Sequence, residues 1–297
     1  MKKSAILLLA LSLTVGISAM ALAQVFPIYE LPTVDLPDLR DGSLADWEAV
    51  LTGTSWTHDD FEPLAVQDGA GINPADLAYR AYMAWNSAKQ AIYIGVERVD
   101  DKYICTYPGG EPQNMWMHDG FELMLDGDHS GGDYNGFSVA EYGEEMAKLL
   151  TGYQAQQYTM VPEAPDGIWV GSNTAASGWV TNLPWADGYG SATGEAPTTS
   201  VMEGYFTPWD ALDWHGPEVS VRSTLEANRV IGFQISMQDW DVIGTYHSFH
   251  TLSGLANTWR MADNFVKGEL IPCDYADCGS AAAVEAESWG RIKASVQ

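Results

Sequence analysis

Within residues 114–136, NMWMHDGFELMLDGDHSGGDYNG, a tryptophan, two carboxylates and an acidic loop follow one another at spacings that suit ligand binding. Trp116 precedes a run of alternating residues and sits in a Gly, Pro and Asn context, so a loop carries its indole. A loop indole can stack on the flat C–H face of a pyranose while carboxylates and amides at the ring edge take its hydroxyls. Asp119 follows at +3 and Glu122 at +6; Glu122 falls on the outward face of the strand, where it can reach a ring held on Trp116. In DGDHSGGD, Asp126, Asp128, Ser130 and Asp133, with glycines that permit a tight turn, suit an oxygen-liganded cation such as calcium. The loop is not an EF-hand, because the twelfth position from Asp126 is Phe137 and not a bidentate Glu. Asp239 and Asp241 in QDWD are a sparser second set.

Strands must position these groups. RAYMAWN (80–86) and AIYIGVERVDD (91–101) read as a hairpin, with Ile92, Ile94, Val96 and Val99 inward and Tyr93, Gly95 and Glu97 outward. GFELMLD places Phe121, Leu123 and Leu125 inward, and VIGFQISMQD does the same with Ile231, Phe233, Ile235 and Met237. Period-2 alternation with one polar face indicates antiparallel sheets, and the Gly, Asp and Pro turns between short strands predict an all-β sandwich of two sheets. AEYGEEMAKLL (140–150) reads as one short helix and TPWDALD (207–213) as a capped helical turn. Residues 24–40 read as an extended lead-in, 41–297 as one domain, and 151–200 as a loop-rich insertion within it. Trp47 and Trp85, at apolar positions beside small or aliphatic neighbours, belong to the core, and Trp289 and Ile292 anchor the last segment.

Residues 1–23 carry Lys2 and Lys3, an apolar run and an Ala21 to Ala23 site, the pattern of a signal peptide cleaved after Ala23. The expected product is secreted, to a periplasm or outside the cell, and about 274 residues long. No cysteine follows the cleavage site to carry a lipid, and no later stretch is apolar for long enough to span a membrane. The net charge of -26 becomes -28 without Lys2 and Lys3, which disfavours nucleic acid as a partner. PCDYADC puts Cys273 and Cys278 in one short loop, where a disulfide is expected, and leaves Cys105 unpaired. His247 and His250 in HSFH lack a local second pair for zinc and read as paired or solvated imidazoles.

RDGSLADW, YMAWNSAKQAIYIGVERVDD, WMHDGFELMLDGD, VIGFQISMQDWD and TWRMADNFVKGELI occur in an order that resembles the family 9 carbohydrate-binding modules, over residues 37–272 apart from the insertion. The resemblance implies a β-sandwich that binds the ends of cellulose- or xylan-type chains and carries structural calcium. It implies that Trp116 and Trp259 sandwich a sugar, with Glu122 as the strand carboxylate and an amide from Gln234 or Gln238. The family's basic residue after the acidic loop has no clear equivalent, since Ser138 stands there; Arg260 is the available substitute. The expectation is a non-catalytic protein that captures polysaccharide or oligosaccharide. The alternatives are a surface or adhesion protein without a sugar site, a glycosidase using Glu122 with Glu141 or Asp119, and a haem domain ligated from Met115, Met117 and His118.

Overall fold

The computed structural model describes residues 24–66, 71–164, 170–172, 178–242 and 245–273. The proposed signal peptide, Cys278, Trp289 and Ile292 therefore lie outside the described residues. The strands are β1 (Val25–Glu30), β2 (Trp56–Thr57), β3 (Glu62–Val66), β4 (Leu77–Asn86), β5 (Ala91–Asp100), β6 (Gly120–Asp126), β7 (Gln156–Met160) and β8 (Val170–Ser172). They continue as β9 (Ala186–Thr193), β10 (Thr198–Phe206), β11 (Trp209–Ala211), β12 (Val221–Arg222), β13 (Val230–Asp239), β14 (Ser248–Thr251) and β15 (Val266–Ile271). The helices are α1 (Ala45–Val50), α2 (Val139–Tyr142) and α3 (Glu144–Leu150).

One large curled sheet runs β8-β7-β6-β13-β15-β1-β4-β5-β10-β9, and β11 with β12 forms a small second sheet. Curling brings the two halves of the long sheet face to face as a sandwich. Phe121, Leu123 and Leu125 of β6 and Ile231, Phe233, Ile235 and Met237 of β13 share one core with Met83, Trp85, Ile92, Ile94, Val96, Met202 and Phe206 from the other half. A second core lies on the outer face of β4 and β5, where α1 lays Trp47 over Tyr82, Tyr93 and Gly95. Gly95 is required there, because an added Cβ would lie 2.8 Å from the Trp47 ring. Glu203 of β10 accepts the Trp47 indole N–H at 2.8 Å.

The 80–101 hairpin forms as expected, with Asn86 paired to Ala91. Its inward face corrects the sequence reading at one position. Strict alternation after Val96 turns Arg98 inward, fully buried, and leaves Val99 37 % exposed. The lead-in is also more ordered than expected, since β1 pairs in parallel with both β15 and β4. Residues 207–213 contain the short strand β11 and not a helical turn, the expected 140–150 helix is broken at Gly143 (φ 78°), and the insertion carries β7, β8, β9 and part of β10.

Candidate functional site

The polar face of β6, β7 and β13 lies under loops and not in solvent. Glu122 sits opposite Thr159 of β7 and Ser236 of β13, so three strands present side chains to one spot. Gln157 Nε2 and Thr159 Oγ1 donate to Glu122 Oε1 at 2.8 and 3.2 Å, and neither reaches Oε2. Burial pushes the Glu122 carboxyl up to about 7, against the pull of the Gln157, Thr159 and Gln238 side chains.

Gln238 and Gln234 divide in role. Gln234 is satisfied within the protein: its Nε2 donates to Ser253 Oγ at 2.6 Å and its Oε1 accepts from the Leu252 N–H. Gln238 is equally buried, yet neither its amide N nor its amide O makes a hydrogen bond of acceptable geometry, although it lies beside Glu122. The indole N–H of buried Trp240 is likewise unpartnered.

Aromatic walls flank this spot along β6. At the Gly120 end a short 3-10 helix, Pro112–Met117, presents Trp116, 37 % exposed, with its ring 6.5 Å from both Trp240 and Tyr246. Trp240 and Tyr246 are 4.0 Å apart, and the Tyr246 hydroxyl donates to the Trp116 carbonyl at 3.4 Å. At the other end Met124 packs with buried Tyr134, whose hydroxyl donates to the Thr258 carbonyl at 2.7 Å. The next residue is Trp259, 45 % exposed. Burial and then the Glu122 charge raise the phenols of both Tyr246 and Tyr134, so both walls lie within Coulombic range of that carboxylate. Arg260 lies 5.9 Å from the Trp259 ring and 3.6 Å from Asp133.

Asp119 does different work from Glu122. It is buried, with Oδ2 accepting the Ile104 N–H and Oδ1 accepting the Trp240 N–H at 2.8 Å. Arg98 Nη2 lies 3.5 Å from the same Oδ1 and 3.2 Å from Asp100, and donates to the Gln238 carbonyl at 2.7 Å. Burial raises Asp119 to about 7 despite Arg98. Asp119 thus ties the Trp116 loop to β13.

The acidic loop holds itself closed. Asp126 accepts the Ser130 and Gly131 N–H groups, Asp128 accepts Ser130 N–H, and Asp133 faces Arg260. Among the described residues the side chains that do converge within metal-ligand range are Asp76, Asp241 and His247, and separately Asp100, Asp119 and Asp239. His247 already bridges Asp76 and Asp241 at 3.1 Å on each side, and Arg98 lies against the other set. His250 is buried with the Tyr79 hydroxyl at 3.1 Å from Nδ1, and burial lowers it to about 4. Of the nominal haem ligands, Met115 is buried in a small core and His118 accepts the Thr106 N–H at 3.2 Å. Cys105 is a free thiol and Cys273 is disulfide-bonded.

Sequence reasoning did not find Gln157, Thr159, Tyr134, Trp240 or Tyr246. Only Gln157 and Thr159 carried a signal, their alternation with buried Tyr158 and Met160 in QQYTM.

No family model and no curated protein matches the chain. A carbohydrate-binding module of family 9 from Caldicellulosiruptor kristjanssonii, solved in complex with glucose, is similar to it at a TM-score of 0.50 and 11% identity, over 84% of this chain and 97% of that one. The same kind of module from that organism in complex with cellotriose gives 0.49 and 12% over the same shares. At such identity the likeness is one of fold, and the fold is the family 9 type that the order of sequence blocks suggests.

Proposed function

We propose that this chain is a secreted, non-catalytic carbohydrate-binding protein. It holds a sugar ring of a cellulose- or xylan-type polysaccharide or oligosaccharide between Trp116 and Trp259, with Glu122 and Gln238 at the ring hydroxyls. The observation that carries the reading is the Gln238 amide, fully buried and unpartnered beside Glu122 between two aromatic walls. A buried amide left unbonded costs about 1–3 kcal/mol, and a hydroxylated ligand supplies both the donors and the acceptors that it lacks. The fold supports the reading, since a protein of similar fold has been solved with glucose.

Calorimetric titration of the mature protein with cellobiose, xylobiose and their reduced alditols tests it, beside Trp116→Ala and Trp259→Ala. Binding that both substitutions weaken supports the cleft, and discrimination against the alditols means that a free chain end is read. An intact protein that binds none of these sugars sinks the proposal. Release of reducing sugar from the same glycans would remove the word non-catalytic, and N-terminal sequencing of the exported protein should begin at Gln24. Calcium remains part of the proposal as a stabilising ion; a cation on the Asp126 to Asp133 loop would have to draw Asp133 from Arg260. Chelation that lowers the melting temperature of the wild type but not of Asp126→Asn checks it.

A further inference from the structure

Residues 138–146 project from the surface, every one of them exposed, and carry apolar side chains where a solvated turn needs none. Val139 is 59 %, Tyr142 42 % and Met146 47 % exposed. Phe137 meets Tyr142 edge to face at 5.6 Å. The segment begins against the glycan cleft: Gly136 has φ 84°, and a Cβ there would lie 3.5 Å from the six-membered ring of Trp259. Phe137 is the next residue, so the Phe137–Tyr142 pair begins one residue from the glycine that faces the Trp259 ring.

This projection is fastened to the Trp259 loop at its base. Tyr134 N–H donates to the Arg260 carbonyl at 2.8 Å, Tyr134 hydroxyl to Thr258, and Gly152 N–H back to the Tyr134 carbonyl at 2.7 Å. Ala147 is buried and Lys148 lies 5.1 Å over the Trp214 ring, which holds the far side of α3. The apolar surface therefore keeps its place relative to Trp259 without a ligand.

We infer that Phe137, Tyr142 and the exposed side chains of Val139 and Met146 form an outer subsite for further sugar units of the same glycan chain, so that the protein binds a neutral oligosaccharide more tightly than a disaccharide. This rests on the glycan-binding reading above. Apolar faces interleaved with Glu141, Glu144 and Glu145 match the two surfaces of a pyranose, its C–H face and its hydroxyl rim. A second copy of the chain fits poorly, because Lys148 is committed to Glu144 at 2.6 Å and a chain of net charge -26 repels its like.

Titration of cellobiose and cellotetraose into the wild type, Tyr142→Ala, Val139→Ser and Trp259→Ala tests the inference, with melting temperatures as a fold control. The wild type should bind the tetrasaccharide about three- to tenfold more tightly than the disaccharide, the gain of one good aromatic contact. Tyr142→Ala should lose that gain and keep wild-type affinity for cellobiose, whereas Trp259→Ala should lose both. Equal affinity for the two lengths in the wild type, or a length gain that survives in both Tyr142→Ala and Val139→Ser, overturns the outer subsite and leaves the inner cleft standing. Binding of neither sugar by the wild type overturns both. Self-association by sedimentation that Tyr142→Ala abolishes assigns the surface to a second copy, against the inference.

Discussion

The Gln238 side chain lies beside the Glu122 carboxylate on the neighbouring strand, near enough to pull that carboxyl down, yet neither end of its amide makes a well-formed hydrogen bond within the protein. Stability and binding should therefore pull apart at this position. Gln238→Leu keeps the volume and removes the unpaired groups, so urea unfolding should show a gain of about 1 kcal/mol, while affinity for cellobiose falls at least about tenfold. A variant that loses stability and keeps its affinity would show that the amide is bonded in solution and reads no ligand.

Trp116 and Trp259 differ in what they pack against within the protein. Trp116 packs toward Trp240 and Tyr246, so Trp116→Ala should cost about 1 kcal/mol in stability as well as affinity. Trp259 stands freer, and Trp259→Ala should lower affinity with stability unchanged to within about 0.5 kcal/mol. Titration and urea melts on the same samples separate the two effects.

Glu122 makes stability fall as pH rises. An unfolded glutamate loses its proton near 4.5, whereas the folded group keeps it to about 7. Between those values the folded state binds the extra proton, so unfolding becomes easier as pH increases through the window and levels off above it. Burial raises Asp119, Asp126 and Glu203 to about 7 and Asp239 to about 6, in the same sense; the lowered His118, His129 and His250 act in the opposite sense. The melting temperature in chelator should be highest near pH 5 and decline toward pH 8, and Glu122→Gln should shrink the decline. A Glu122→Gln profile parallel to the wild type would mean that Glu122 titrates normally in the folded protein.

Arg98 and Val99 are neighbours with opposite fates. Arg98 is fully buried against Asp100 and Asp119, so Arg98→Met should cost about 3–5 kcal/mol, because carboxylates are left without their cation. Val99→Thr, on the exposed side, should change stability by no more than about 0.5 kcal/mol. Chemical denaturation of the two variants side by side checks the register of β5.

Alternation made the sandwich legible, since the inward residues of β6 and β13 are the ones that periodicity selects. It failed at Arg98 because a buried cation breaks the apolar pattern although the geometry continues. It also failed at Val25–Glu30, where a short strand with a proline is held by partners far away in sequence, β4 and β15. The exposed indoles could be read from their loop context. Tyr134, Tyr246 and the choice of Gln238 over Gln234 could not, because each depends on which loop covers which strand and on whether a distant Ser253 is there to bond the amide.

The parallel placement of β1 ties the start of the described chain to its end. β1 occupies the seam between the two halves of the curled sheet, with β4 on one side and β15 on the other. The sheet therefore stays split until the residues of β15 arrive, because that pairing joins segments far apart in sequence. Closure comes with β15, and it covers in one step the two edges that would otherwise recruit a neighbouring chain.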